Sequence, residues 1–239
     1  MRVYIENYGC AMNMADGNLM AEILVEAGHS IVDKPEEADV IILNTCTVRL
    51  DTERRMLKRL RELMSYGKRL VVAGCLASAQ PGLIYKVSRD ISLLSARAVE
   101  AVRDVVEADG TIYVLRPRPR RRLPRLLDGV KITIPIAEGC LGSCAYCIVR
   151  VARGPLRSYR PEDIVRAVEE AVRKGAKEVR LTAQDTGVYG LDIGTNLAEL
   201  LKAVCAIEGR FMVRVGMMNP NAALRILDDP VSYTHLTLP

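Results

Sequence analysis

Residues 138–147 read EGCLGSCAYC and come directly after the apolar run Ile132–Ala137. This loop sets Cys140, Cys144 and Cys147 in a C-x3-C-x2-C spacing, which lets three thiolates surround one compact metal site. An ordinary four-iron cluster takes four cysteines, and no fourth lies nearby in the sequence, so one iron would remain open to another ligand. The alternatives are a zinc site with a remote fourth ligand and cysteines that only fill a core.

The chain around this loop alternates between strand and helix patterns. The predicted strands are Ile132–Ala137, Glu178–Thr182 and Met212–Val215, and the predicted helices are Pro161–Lys174, Asn196–Ile207 and one that starts near Asn221. Pro161 followed by two acidic residues is typical of a helix N-terminus. Three βα units in a row predict the first part of a βα barrel.

The first hundred residues alternate in the same way. The predicted strands are Arg2–Glu6, Val40–Leu43, Leu70–Ala73 and Ile91–Leu94, and the predicted helices are Asn13–Ala27, Leu50–Tyr66 and Ala96–Glu107, with a looser segment after Ala73. Such βαβ units favour a parallel sheet that is covered on both faces. We therefore predict an α/β chain, with an N-terminal doubly wound, flavodoxin-like domain followed by the first part of a barrel.

Three further cysteines, Cys10 in NYGC, Cys46 in NTCTV and Cys75 in AGCLA, each follow an apolar strand. Each should lie at the carboxyl end of a parallel strand, where open α/β sheets bind their ligands. One sheet edge would then present three thiolates, and the alternative is three small buried residues. We call these residues the N-terminal cysteine triad, and Cys140, Cys144 and Cys147 the loop cysteines.

Residues 116–125 read RPRPRRRLPR, with six arginines and three prolines. No core can form there, so the segment is predicted to be a linker or surface hairpin. It is either a solvated basic connector or a strap that contacts phosphates. The predicted organisation is a triad domain at 1–114, a basic linker at 115–130, a barrel segment at 131–230 and a tail at 231–239.

Composition limits the class of protein. The chain has 239 residues, 49% of them hydrophobic, and no uncharged apolar stretch of about 18 residues that would span a membrane. The seven cysteines, several of them in glycine-flanked loops, suit metal or redox use in a reducing compartment better than disulfides. The sequence thus indicates a soluble cytoplasmic protein without a membrane partner, and its net charge of +5 leaves nucleic-acid binding open.

The loop cysteines, with Tyr146 just before the last of them and a position after the first barrel strand, resemble the radical S-adenosylmethionine superfamily. In that superfamily the open iron binds the amino and carboxylate groups of S-adenosylmethionine, and the reduced cluster cleaves it to a 5′-deoxyadenosyl radical. The resemblance implies a 4Fe–4S cluster on the loop cysteines, S-adenosylmethionine as cofactor and Tyr146 among the cofactor-binding residues.

A dispersed cysteine triad followed by such a loop resembles the methylthiotransferase family, whose N-terminal domain holds a second 4Fe–4S cluster. The resemblance implies that Cys10, Cys46 and Cys75 hold this auxiliary cluster, giving two clusters in all. Such an enzyme opens a carbon–hydrogen bond of an adenine with a radical while sulfur is held on the second cluster. It needs an external electron donor, and we expect the chain to be a monomer.

Several segments narrow the resemblance to the archaeal and eukaryotic branch of the family. They are NYGCAMNMADGNLMAEIL, ADVIILNTCTV, AGCLASAQP, ARGPLRSY, LTAQDTGVYGLDIGTNL and VRVGMMNPN. This implies addition of a methylthio group to C2 of N6-threonylcarbamoyladenosine at position 37 of tRNA. The alternatives are isopentenyladenosine of tRNA or a ribosomal protein as substrate, a non-radical iron–sulfur redox protein, and a zinc-stabilised RNA-binding module.

Polar groups at strand ends add further candidates. Gln184 and Asp185 end a predicted strand, where a barrel places groups that contact cofactor or substrate, and Arg214 on the next strand is another candidate. The alternative is an ordinary turn in which Asp185 caps the chain. Cys205 fits neither cysteine set and is expected to be a core residue.

The C-terminal end departs from the family pattern. Members of the family continue the barrel beyond the three units found here and carry a small RNA-binding β-barrel after it. Here the last helix pattern stops at about Asp229 and the chain ends in VSYTHLTLP, which has no helical period. We expect residues from about Val231 to be foreign and the chain to be an incomplete enzyme.

Overall fold

The computed structural model describes residues 1–226, and the predicted foreign tail lies outside them. The chain forms two compact units. Unit 1 contains Met1–Leu126 and Gly142–Pro155, and unit 2 contains Leu127–Leu141 and the described residues from Leu156. The segment that follows the loop cysteines therefore packs with the N-terminal sheet.

Unit 1 is built on a six-stranded parallel sheet. Its strands are β1 (Arg2–Asn7), β2 (Ser30–Val32), β3 (Val40–Thr45), β4 (Arg69–Gly74), β5 (Ser92–Ser95) and β6 (Tyr113–Val114), in the order β2-β1-β3-β4-β5-β6. This is the doubly wound, flavodoxin-like order, and its direction reverses between β1 and β3. The predicted fold of this region is confirmed.

Helices cover both faces of this sheet. They are α1 (Ala11–Glu26), α2 (Leu50–Met64), α3 (Cys75–Ala79), α4 (Pro81–Tyr85), α5 (Val102–Glu107) and α6 (Ile148–Arg153). One face packs against α1 and α5 through residues such as Leu19 and Val102, and the other against α2 through Met56 and Leu60. Because both faces are covered, every residue of β3 is buried, which explains its unbroken apolar pattern.

The sequence prediction missed the two edge strands, β2 and β6, because three and two residues are too few to show a period. The predicted helix Ala96–Glu107 is a 3-10 turn at Ala96–Ala101 followed by α5, with a kink at Ala98. The looser segment after Ala73 forms α3 and α4.

Unit 2 contains a three-stranded parallel sheet of β7 (Lys131–Pro135), β10 (Glu178–Thr182) and β11 (Met212–Val215), in the order β11-β10-β7. A short antiparallel pair, β8 (Ala137–Glu138) and β9 (Arg157–Ser158), stands apart from it. The helices are α7 (Pro161–Arg173), α8 (Leu197–Cys205) and α9 (Pro220–Ala223), with a 3-10 turn at Thr186–Val188. The three predicted βα units are therefore present.

The arginine-rich segment lies along unit 1 and is bound to it by acidic residues. Arg120 is buried and its Nη1 lies 2.6 Å from an oxygen of Asp16. Arg122 pairs with Glu26 at 2.5 Å.

Backbone groups of the segment are also bound by acidic side chains. The backbone N–H groups of Arg125 and Leu126 donate to Glu22, and those of Arg121 and Arg122 donate to Glu100. Part of its positive charge is thus neutralised within the fold rather than displayed to a phosphate backbone.

No helix among residues 1–226 is long and apolar enough to cross a membrane.

Candidate metal centre

The N-terminal cysteine triad lies where three neighbouring strands end. Cys10 follows β1 and caps α1, Cys46 follows β3, and Cys75 is the first residue of α3 directly after β4. Cys46 and Cys75 are 8% and 5% exposed, whereas Cys10 is exposed. The predicted position of the three thiols at one sheet edge is confirmed.

Two glycines let the backbone turn at this edge. Gly9 has a φ of 111°, and a Cβ there would lie 2.8 Å from the Cβ of Cys46. Gly74 has a φ of 89°, and its Cβ would lie 2.5 Å from Oδ1 of Asn44 and 2.6 Å from the carbonyl of Thr45. A side chain at Gly9 would clash with Cys46, and one at Gly74 would clash with the end of β3, the strand that Cys46 follows.

Asn13, in the first turns of α1, connects all three cysteine segments. Its Nδ2 donates to the carbonyls of Tyr8 and Thr45, both at 2.8 Å, and these residues closely precede Cys10 and Cys46. The Cys75 thiol donates to its Oδ1 at 3.6 Å. Asn13 could not be predicted as a site residue from the sequence, because nothing in its spacing distinguishes it from an ordinary helix residue.

The donors of this edge fit an iron–sulfur cluster. Three thiols form a soft ligand set, which suits such a cluster or zinc. Within residues 1–226, no three His, Cys, Asp or Glu side chains are close enough together to hold a single metal ion. The ligands of a cluster bind different iron atoms and therefore stand farther apart than the ligands of one ion.

Burial raises the pKa of the Cys75 thiol, and the nearby Arg153 acts in the opposite direction through its charge and a hydrogen bond. Burial disfavours the thiolate, and a neighbouring cation favours it. The thiolate is the form that binds metal.

The loop cysteines have different local surroundings. Cys140 follows β8 in unit 2, whereas Cys144 and Cys147 belong to unit 1, where Cys147 caps α6. The backbone N–H of Cys147 donates to the carbonyl of Cys144 at 3.1 Å. Cys144 is exposed and Cys147 partly so, and the adjacent Tyr146 is 91% exposed.

The candidate cofactor residues of unit 2 have different surroundings. Gln184 lies just beyond β10, and its Oε1 accepts from the N–H of Gly139 at 2.6 Å, which fixes the start of the loop before Cys140. Asp185 is buried and accepts from the N–H groups of Gly187 and Asn219, both at 3.1 Å. These bonds are those of a capping residue, the alternative that the sequence left open. Arg214 is exposed on β11.

The prediction that Cys205 fills a core is wrong, because the residue is exposed at the end of α8. The buried face of this helix carries Leu197, Leu200 and Val204, and Cys205 is one position past that face.

Two family models match the chain. The model described as "Uncharacterized protein family UPF0004" covers residues 2–96, and that of the radical SAM superfamily covers residues 134–237. Curated relatives span both regions. One is the "Probable threonylcarbamoyladenosine tRNA methylthiotransferase" of Pyrococcus horikoshii, 47% identical over 236 residues.

The chain contains a region of the radical SAM superfamily, and it is similar to threonylcarbamoyladenosine tRNA methylthiotransferases over nearly its whole length. The Pyrococcus match covers 96% of this chain and 56% of the relative. The "Threonylcarbamoyladenosine tRNA methylthiotransferase" of Xenopus laevis is 34% identical, over 100% of this chain and 46% of the relative. The chain thus spans about half the length of these family members.

Solved structures agree with the fold. The radical enzyme OxsB, solved with aqua-cobalamin bound, has a TM-score of 0.55 at 13% identity and covers 89% of this chain and 38% of that one. The methyltransferase TsrM of Kitasatospora setae, solved with cobalamin and a 4Fe–4S cluster bound, has a TM-score of 0.51 at 13% identity, over 84% of this chain and 51% of that one. At this identity the likeness concerns the fold alone.

Proposed function

We propose that this chain is the cluster-bearing part of an enzyme that adds a methylthio group to C2 of N6-threonylcarbamoyladenosine at position 37 of tRNA. The observation that carries the proposal is the meeting of three thiols from separate strands at one sheet edge, in a chain with a radical SAM region. The names of relatives such as the Pyrococcus protein support the choice of substrate. An iron–sulfur cluster and S-adenosylmethionine belong to the superfamily, and a second cluster is part of this proposal.

The residues divide the work as follows. Cys10, Cys46 and Cys75 hold the auxiliary cluster, and the loop cysteines hold the radical cluster with one coordination position left for S-adenosylmethionine. When bound, these groups supply a radical that opens the carbon–hydrogen bond and a sulfur for transfer.

Other residues take part in cofactor binding. Gln184 fixes the start of the cluster loop by accepting a hydrogen bond from Gly139, and we propose it as a further cofactor-binding residue. Tyr146, Asp185 and Arg214 remain proposed cofactor contacts, with Tyr146 the most exposed of them. We assign residues 1–114 to the auxiliary domain and 131–230 to the radical domain, and we propose a cytoplasmic monomer that receives electrons from a separate donor.

The test is iron and labile sulfide per chain after anaerobic reconstitution. The unchanged chain should hold about eight irons, and both the Cys140→Ala/Cys144→Ala/Cys147→Ala variant and the Cys10→Ala/Cys46→Ala/Cys75→Ala variant should hold about four. Cys205→Ala is the matched control, because this thiol is exposed and lies outside both sets, so it should keep all eight. Zinc in place of iron, or no loss in either triple variant, would contradict the proposal.

A second measurement separates radical chemistry from simple electron transfer. The reduced, reconstituted chain should convert S-adenosylmethionine to 5′-deoxyadenosine, and the variant without loop cysteines should not. A chain that holds both clusters but never cleaves the cofactor would instead be a redox protein.

A further inference from the structure

Beneath the N-terminal cysteine triad lies a buried group of charged side chains that the proposed function does not use. Arg153 and Asp16 pair at 2.6 Å with side chains only 1% exposed, and Arg120 reaches the other oxygen of Asp16. Ions are costly to remove from water, so such an arrangement persists only where the charges are held in good geometry.

Arg153 is also joined to the triad itself. Its Nη2 donates to Oδ1 of Asn13 at 2.7 Å, the same atom that accepts from the Cys75 thiol. Arg153 further interacts with Cys75 through its charge and a hydrogen bond. The guanidinium therefore reaches one triad cysteine directly and the segments of the other two through Asn13.

The backbone around Arg153 is built to hold it there. Arg153 ends α6, which packs against α3, the helix that begins with Cys75. The next residue, Gly154, has a φ of 77°, and a Cβ there would lie 2.6 Å from Cζ of Arg97. The turn after Arg153 thus requires glycine, which explains the glycine in the segment ARGPLRSY.

From these contacts we infer that Arg153 is a positioning residue of the N-terminal cysteine triad, which holds Asn13 in place, contacts the Cys75 sulfur with its guanidinium and raises the midpoint potential of the cluster bound there. The inference rests on the proposed function, since it needs a cluster on Cys10, Cys46 and Cys75.

The direction of the effect follows from charge. Reduction adds an electron to the cluster, and a fixed cation beside a ligand sulfur stabilises the more negative, reduced state. Hydrogen bonds to the sulfurs and local charge are established determinants of cluster potentials. The carboxylate of Asp16 offsets part of this effect while it holds the guanidinium in place.

The experiment measures the midpoint potential of the triad cluster by a redox titration followed by electron paramagnetic resonance. It uses the full chain with Cys140, Cys144 and Cys147 changed to alanine, so that the signal comes from the triad alone. Arg153→Met should lower the potential, with at least a tenfold smaller ratio of reduced to oxidised cluster at a fixed poise, equivalent to about 59 mV. Asp16→Asn should raise it, and Arg153→Lys should restore most of the parent value.

Arg150→Met is the matched control, because it removes a positive charge from the same helix at an exposed position. Solvent screens that charge, so the potential should stay near the parent value. A purely structural role for Arg153 would lower iron content without shifts of opposite sign in Arg153→Met and Asp16→Asn.

The outcomes are distinguishable. A parent chain without iron overturns the proposed function. Iron at the parent level with an unchanged potential in Arg153→Met overturns the inference alone. If Arg153→Met loses its cluster, the potentials of the other two variants test the inference. A higher potential in Asp16→Asn together with a near-parent potential in Arg153→Lys supports it, and any other pair of results overturns it.

Discussion

The two cysteine sets, which we propose as the ligands of two clusters, are assembled in opposite ways. The N-terminal triad collects its thiols from residues far apart in the sequence, and the carboxyl ends of β1, β3 and β4 bring them together. The loop cysteines are neighbours in sequence and lie in a largely exposed segment. The sheet therefore positions the cysteines of the triad, whereas sequence spacing groups the loop cysteines.

This difference predicts where each site is vulnerable. A substitution that disturbs the sheet edge should remove the triad cluster and leave the loop cluster, while changes to the surface of the loop should leave the fold intact. The following predictions test this contrast from the largest effect to the smallest.

Gly74→Val should have the largest effect. The new side chain would be forced against Asn44 and Thr45 in a left-handed backbone region, so we expect a loss of about 2–5 kcal/mol in the free energy of unfolding. About four of the eight irons should be lost with it. Urea unfolding of the metal-free chain and iron analysis measure the two effects.

Gly28→Ala is the control, because Gly28 has a φ of 84° but no atom within 4 Å of its added Cβ. It should carry only the backbone strain, about 1–2 kcal/mol, and keep all its iron. Equal losses in the two variants would mean that crowding at the sheet edge is unimportant.

Asn13→Ala should remove the link between the three triad segments. Because its amide is buried and bonds to Tyr8 and Thr45, we expect a loss of about 1–3 kcal/mol in unfolding free energy, together with the triad iron. Asn18→Ala, at a half-buried position of the same helix, should change little. Full iron content in Asn13→Ala would show that the triad does not need this link.

The same contrast explains which features of the fold and of the candidate site could be predicted from the sequence. The parallel sheet and the triad positions were predictable because βαβ alternation places residues such as Cys46 at a known edge of the sheet. Asn13, Asp16 and Arg153 were missed, because their roles depend on contacts between segments as much as 140 residues apart. Cys205 was wrongly placed because its apolar neighbours did not reveal the phase of α8.

The hydrogen bonds of Glu6, a residue of β1, predict that the free energy of unfolding depends on pH. Burial alone would raise the pKa of Glu6, but hydrogen bonds from Arg59 and Tyr8 outweigh it and hold this pKa below its usual value. A carboxylate whose pKa is lowered by folding stabilises the fold above the unfolded-state pKa, near 4.5, and this stabilisation is lost as the pH falls through the folded-state value.

Glu6→Gln should therefore cost about 1–3 kcal/mol at pH 7, and the difference from the unchanged chain should shrink as the pH falls from the unfolded-state pKa through the lower folded-state pKa of Glu6. Urea unfolding across this range measures it. Glu62→Gln is the control, since Glu62 binds the same Arg59 from a side chain that is 46% exposed, and it should cost under about 0.5 kcal/mol. A difference that grows on acidification would reverse the assigned sign.

Tyr146→Ala should have the smallest effect on the fold and separates stability from cofactor binding. The ring is 91% exposed, so its removal should change the unfolding free energy by less than about 0.5 kcal/mol and leave both clusters in place. If the ring contacts S-adenosylmethionine, the dissociation constant of the cofactor on the reconstituted chain should nevertheless rise several-fold. An unchanged dissociation constant would remove Tyr146 from the cofactor site. A large loss of stability would show that this loop, like the sheet edge, contributes to the stability of the fold.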